Sequence, residues 1–357
     1  MFNKERLKLA RQLKKLSKQE LSAKINLSVQ TLTEWEKGKT IPKLESLYEL
    51  SKGLGFPIDF FNTETNYNIK AESFRALSKM KASDRDVTYS YAKLAIDLNS
   101  WIESKYNLPQ CNISFVDKES PAEAAQRIRR EWNIEEFIDD AIFLLEKNGI
   151  KVFSLLENIE HIDGFSFWNN DTPYILLTHK KSSEHSRFDA MHELGHLIMH
   201  HSGVVKNINA EKEAHMFAAE MLMPEKFISE YKDMEPILDN FIRLKKLWKV
   251  SLSAIIYRFF QLNFITEWTF RILNIEMRKK GYHQNEPQTI AWEESIVINK
   301  IFKLLKEDNC SVQDISKETN IPVDIINKLV FNKFALSLIY GTGDEKNKST
   351  AKLKLID

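Results

Sequence analysis

Cysteine is nearly missing from this 357-residue chain: Cys111 and Cys310 are the only two, far apart and in no Cys-X-X-Cys pair. That excludes a disulfide framework and a thiolate metal site, and it fits a reducing cytosol. Long apolar runs are missing as well. The stretch from Ser253 to Phe264 is broken by Arg258, and the opening Met1-Phe-Asn-Lys-Glu-Arg-Leu-Lys has no apolar core of the signal-peptide kind. A cytoplasmic protein with no membrane partner is therefore expected. The third absence is an overall excess of charge, the formal net charge being +1. Yet residues 1–56 hold twelve Lys and Arg against six Asp and Glu, and residues 57–357 carry a net −5. A basic head precedes a mildly acidic body, although solvated helix faces account for charge of this size as readily as a polyanionic partner does. With 43% apolar and 28% charged residues, the chain has the composition to bury two or three ordinary globular cores.

In the head, Leu7, Leu9, Ala10, Leu13 and Leu16 recur at helical spacing, and Ser17 reads as the cap of a second helix from Lys18 to Ile25. Asn26-Leu27-Ser28 is the turn. Ser28 caps a third helix, Val29 to Lys37, which Gly38 ends; Leu32 and Trp35 face inward and Gln30, Thr31 and Thr33 outward. Two short helices about a tight turn make a helix-turn-helix. Leu16-Ser17-Lys18-Gln19-Glu20-Leu21-Ser22, Leu27-Ser28-Val29-Gln30-Thr31-Leu32-Thr33-Glu34-Trp35-Glu36-Lys37-Gly38 and Ile41-Pro42 resemble the XRE family of phage-repressor-like DNA-binding domains. The resemblance covers residues 4–61. It implies that the third helix enters the major groove of double-stranded operator DNA, as a homodimer on that DNA. Gln30, Thr31 and Thr33 are the expected base contacts, Gln30 through an amide that can pair bidentately with adenine. Ser28 is a further DNA-binding candidate, and Lys18 and Lys37 are the candidates for phosphates. The competing reading is a helical module that binds protein.

The polar stretch Asn62-Thr-Glu-Thr-Asn-Tyr-Asn marks the first boundary and a flexible point. Beyond it, Ser73-Phe74-Arg75-Ala76-Leu77 leads to a long helical pattern from Ser83-Asp84 through Tyr91, Leu94, Ile96, Leu98 and Ile102, a helix suited to dimerisation.

The body contains His192-Glu193-Leu194-Gly195-His196. On a helix, positions i and i+4 stack, so the two histidines can hold one ion with Glu193 beside it. Short strands are expected at Ile150–Phe153, Gly164–Trp168 and Tyr174–Thr178, and the motif helix from about Ser183 to Met199. A catalytic zinc site normally takes three protein ligands. Downstream, a helix stopped by Pro224 carries Glu211, Glu213, His215 and Glu220. Glu213 is taken as the third ligand, with Glu220, His215 and His201 also chemically competent. His200 and His201 otherwise read as residues of the helix end. Arg187-Phe188-Asp-Ala-Met-His192-Glu-Leu-Gly-His196-Leu-Ile-Met-His200 with Glu213-Ala-His-Met-Phe217-Ala-Ala-Glu-Met-Leu-Met-Pro224 resembles the ImmA/IrrE family of metallo-endopeptidases, over residues 121–225. The resemblance implies zinc, one ion per chain with another divalent metal as the second choice, on His192, His196 and Glu213, and Glu193 as the base. His215 stands where that family often has Asn.

Helical patterns continue over Leu244–Leu262 and Thr266–Lys279 and resume near Ala291. Ser311 to Ile326 has the look of a second helix-turn-helix without a basic third helix, which favours protein contact over DNA. The fold class expected is mainly α with a small β-sheet (α+β). Its parts are a helix-turn-helix domain at 1–61, a helical connector at 62–120 and a zincin-like metallopeptidase domain at 121–235. A helical extension at 236–283, a C-terminal helical domain at 284–340 and a disordered tail at 341–357 follow. The function expected is a DNA-binding transcriptional regulator with a zinc endopeptidase that cleaves an XRE-type repressor or antitoxin. Two further readings are open: a regulator that uses the peptidase fold only as a sensor or docking module, and a toxin-antitoxin component.

Overall fold

A computed structural model describes residues 1–69, 80–116, 118–155, 162–178, 181–201 and 209–331. The chain forms two compact units, one of residues 1–108, 153–162 and 297–357, the other of residues 109–152 and 163–296. The fold is mainly helical with one small sheet. No helix among the described residues is long and apolar enough to cross a membrane.

The first unit opens with α1 (Lys4–Leu13), α2 (Lys18–Ile25), α3 (Val29–Lys37) and α4 (Leu44–Leu54), then a 3-10 turn at Ile58–Asn62. Local signals set these ends. Ser17 and Glu20 form a reciprocal capping box on α2, and Asn26 ends it in the left-handed region at φ 52°. Ser28 accepts from the Thr31 amide to cap α3, and Gly38 closes it at φ 71°. Leu7, Leu21, Leu32, Trp35, Leu50 and Phe60 are buried between these helices.

The polar stretch after the 3-10 turn has no helix, yet Arg6, itself buried, ties it down by donating to the carbonyls of Thr63 at 3.4 Å and Glu64 at 2.9 Å. Arg6 also pairs with Asp97, which accepts from the Tyr67 hydroxyl at 2.8 Å. Asp97 lies on α5 (Ala82–Glu103), the long helix expected after Ser83-Asp84. No position of α5 from Asp84 to Asn99 is exposed. The segment Ser73–Leu77 lies outside the described residues.

The second unit begins with α6 (Pro121–Glu131), entered through the Ser120–Glu123 capping box, and α7 (Ala141–Lys147). Strands β1 (Lys151–Ser154), β2 (Gly164–Asn169) and β3 (Thr172–Leu177) follow in the order β1-β3-β2. β2 and β3 are antiparallel, with Gly164 opposite Leu177 and Ser166 opposite Ile175. Then come α8 (Ser183–Met199), α9 (Ala210–Leu222), α10 (Glu225–Ile228), α11 (Leu238–Trp248), α12 (Leu252–Gln261) and α13 (Glu267–Lys279). α8 packs on β2, β3 and α9, burying Met191, Leu194, Leu197 and Ile198.

A strap of irregular chain holds the start of α8. Lys245, wholly buried on α11, pairs with the buried Glu184 and, at 2.8 Å, with Glu286. Ser183 donates to the carbonyl of Ile290 at 2.8 Å, and Arg187 pairs with Glu293, which also accepts from the Ala141 amide. These bonds explain why a helix expected from Ala291 starts only at Ile296: Glu293 and Ser295 are spent on Arg187 and Glu146, and Glu146 also accepts from the Ile296 amide. α14 (Ile296–Glu307), α15 (Val312–Thr319) and α16 (Val323–Leu329) complete the first unit, α15 and α16 against α5. The tail expected to be disordered from Gly341 lies outside the described residues.

Removing Lys245 leaves two carboxylates facing each other without a cation. Lys245→Ala should therefore cost about 3–5 kcal/mol of stability in urea unfolding. A loss below about 1 kcal/mol would place the pair among contacts of surface strength.

Candidate metal centre and nucleic-acid interface

One helical turn separates His192 from His196 on α8, and their Nε2 atoms lie 3.1 Å apart. Glu211, in the first turn of α9, brings one carboxylate oxygen to 3.4 Å from His192 Nε2 and the other to 3.6 Å from His196 Nε2. The donor atoms of His192, His196 and Glu211 all lie within 4.8 Å of one another. Ligands at 2.0–2.1 Å from a tetrahedral zinc stand roughly 3.4 Å apart, so two imidazoles and a carboxylate at these separations suit that ion.

The carboxylate at the histidine pair is thus Glu211, not the Glu213 expected. The cause is helical geometry. α9 meets α8 at Gly195 through Ala214 and Phe217, a Cβ there lying 3.1 Å from the Phe217 ring and 3.2 Å from Ala214 Cα, and Glu211 and Glu213 flank that contact on opposite sides. Glu213 points elsewhere and binds His200 Nε2 at 3.0 Å, while His200 Nδ1 lies 3.1 Å from His196 Nδ1. With His200 donating to Glu213, its Nδ1 can accept from His196 Nδ1–H, which leaves the lone pair of His196 on Nε2, toward Glu211. Glu220, His201 and His215 are placed as clearly. Glu220 is buried in a pair with Arg258 and also accepts from Gln126 at 3.0 Å. His201 stacks on Phe115 with ring centres 3.9 Å apart. His215 borders the site, its ring centre 4.7 Å from that of His192.

Glu193 points from α8 toward β2. It is buried, and Ser166 donates to its Oε2 at 2.5 Å. Gly164 makes room for it, since a Cβ there would stand 2.9 Å from Glu193 Cγ. Burial pushes the Glu193 carboxyl up to about 7, against the pull of His192 and the Ser166 bond. Burial also holds His196 and His215 down, with His192 adding to it in both. At His192 burial acts in the same sense, but the bond to Glu211 and the charges of Glu193, Glu211 and Asp189 outweigh it and hold the group up. His192 Nδ1 is buried with no hydrogen-bond partner among the described residues.

In the head, Ser28, Gln30, Thr31 and Thr33 lie on the solvent side of the first two turns of α3, opposite the buried Leu32 and Trp35. Gln30 is exposed and donates to Glu34 at 3.2 Å. The hydroxyls of Ser28 and Thr31 bond each other at 2.8 Å, and Thr33 donates back to the Val29 carbonyl at 2.8 Å. Lys37 is exposed at the end of α3. Lys18 lies 3.3 Å from Glu36, so its ammonium is partly engaged inside the fold.

Residues 7–61 match the family model described as a helix-turn-helix, and residues 145–260 match the one described as the IrrE N-terminal-like domain. A search of curated proteins found no match. The two matches fall on the units' two distinctive parts, α1 to the 3-10 turn and the segment from α7 to α12.

The placement of the two glutamates separates their contributions to metal binding. Glu211→Ala should weaken zinc binding by more than about a hundredfold, and Glu213→Ala, acting through His200, by about tenfold. Competition with a chromogenic chelator reads both, and the reverse order would return Glu213 to the ligand set.

Proposed function

We propose that this chain, an XRE-type helix-turn-helix module joined to a metallopeptidase-like domain of the ImmA/IrrE kind, is a DNA-bound transcriptional regulator that hydrolyses a peptide bond in a partner protein. The observation that carries the reading is Glu193: a buried carboxylate poised near neutrality beside two imidazoles and a carboxylate at metal-ligand spacing. A divalent ion, zinc by the chemistry of His192, His196 and Glu211, would supply Lewis acidity to the scissile carbonyl and to water.

The chain's own residues do the rest. Glu193 accepts the proton of the attacking water and returns it to the leaving amine, which needs a carboxyl whose affinity for the proton lies close to the working pH. Ser166 fixes one Glu193 oxygen so that the other faces the reacting groups. His200 and Glu213 hold the tautomer of His196. At the other end of the chain, Gln30, Thr31 and Thr33 meet base edges, while Ser28, Lys18 and Lys37 position the helix on phosphates. One reading helix per chain means that a two-fold operator takes two chains. The substrate is a protein of the same regulatory circuit, an XRE-type repressor or antitoxin.

Glu193→Gln and Gly164→Ala test the chemistry. Both should keep zinc and duplex DNA and lose cleavage of the partner by at least about a hundredfold, the first for want of a base and the second because the new Cβ displaces Glu193. If either variant relieves repression as well as the parent chain does, the fold acts as a sensor or docking module instead. Lys37→Ala should reduce the salt dependence of DNA binding by about one counterion, and an unchanged slope would remove Lys37 from the interface.

A further inference from the structure

Residues 298–331 repeat the head, residues 4–37, at a displacement of 294 positions. Ser311, like Ser17, caps an eight-residue helix through a reciprocal capping box, here with Asp314 in the place of Glu20. Asn320, like Asn26, ends that helix in the left-handed region, at φ 59° against 52°. Inside the turn, Ser316 donates to the Ile321 carbonyl as Ser22 does to that of Leu27. The turn before the capped helix agrees too: Asn309 and Lys15 both have φ 55°, and the amides of Cys310 and Leu16 bond the carbonyls of Leu305 and Arg11. Val323 opens the third helix as Val29 does. The inward positions match in kind, with Ile301, Ile315 and Ile326 buried where Leu7, Leu21 and Leu32 are buried.

The outward positions do not match. Where the head has Lys18, Ser28, Gln30, Thr31, Thr33 and Lys37, the second segment has Val312, Pro322, Asp324, Ile325, Asn327 and Phe331. The counterparts of Lys18 and Lys37 are uncharged and that of Gln30 is an aspartate, while the neighbouring cation, Lys328, is paired with Asp324 at 3.7 Å, which weakens phosphate attraction. Ile325 is buried although its counterpart Thr31 is half-exposed, so something beyond the three helices covers it. α16 packs against α5, and burial together with the Asp324 charge pushes the Tyr91 hydroxyl of α5 up. On α15, Glu318 stands where the head has Lys24, and it accepts from Trp101 of α5 at 2.8 Å and pairs with Lys105 at 2.7 Å.

We propose that residues 298–331 form a second helix-turn-helix module that has exchanged DNA reading for protein docking, with α5 of the same chain as its ligand. The chain carries two modules of one design and reads DNA with the first alone. The docking face shares Val312, Asp324 and Ile325 with the positions that the proposed function puts on DNA in the head and adds the acidic Glu318, and it fits a helix that offers an indole and a phenol with a lysine just past its end.

Two arms on the full chain test this. In the first, Ile325→Thr with Glu318→Lys puts the head's residues back on the docking face. Amide exchange over α5 should then speed up by about tenfold or more, with helical circular dichroism retained because Ile301, Ile315 and Ile326 stay in place. Unchanged protection over α5 overturns the docking, and this arm is independent of the DNA reading of the head. In the second, mixed-sequence duplex DNA is titrated across salt concentrations with Asp324→Lys, at an exposed position, beside Lys37→Ala. The proposal expects Asp324→Lys to leave the salt slope unchanged. A shift of about one counterion, the size of a real phosphate contact, would put α16 on DNA and overturn it.

Discussion

The close approach of α8 and α9 at Gly195 is the constraint on which the rest of the metal centre depends. Any side chain there would press on Phe217 and on the backbone of Ala214. With only hydrogen at that point, α9 comes near enough for a glutamate in its first turn to reach both histidines, and its face is set so that the residue is Glu211. The five-residue motif sets His192 and His196 at metal-ligand spacing with Glu193 beside them, and its glycine admits Glu211.

Holding that geometry falls to charges buried far from the chemistry. Glu184 and Arg187, in the first turns of α8, are tied through Lys245, Glu286 and Glu293 to the strap before α14. Glu220 and Arg258 fix the far end of α9 to α12 in the same manner. Such pairs are costly to bury and more costly to break by half. They suit a site whose donor atoms must keep their positions whether or not an ion is bound.

Much of this was legible in the sequence, and what was not follows one physical rule. Ser17, Asn26, Ser28 and Gly38 act on backbone within a few residues of themselves, so α2 and α3 begin and end where the caps place them. His192, Glu193 and His196 share one helix, and their mutual arrangement is equally local. Glu211 depends on which face of α9 meets α8, a tertiary fact. Glu211 and Glu213 lie on either side of the contact that Ala214 and Phe217 make with Gly195, and that contact decides which of them faces the two histidines. Ser166 reaches Glu193 from a strand, and the strap delays α14 through partners more than a hundred positions away. The second helix-turn-helix was visible as a spacing, but its kinship with the head rests on matching φ angles and capping bonds.

One chain thus carries a helix-turn-helix, the covered helix α5 and a buried glutamate beside a His, His, Glu donor set. Anomalous scattering at the zinc edge from crystals of the zinc-loaded protein tests the centre of the account. It predicts one strong peak within bonding distance of His192 Nε2, His196 Nε2 and a Glu211 oxygen, with Glu193 near but unbound. A peak ligated by Glu213 in place of Glu211, or none between the two histidines, would contradict it.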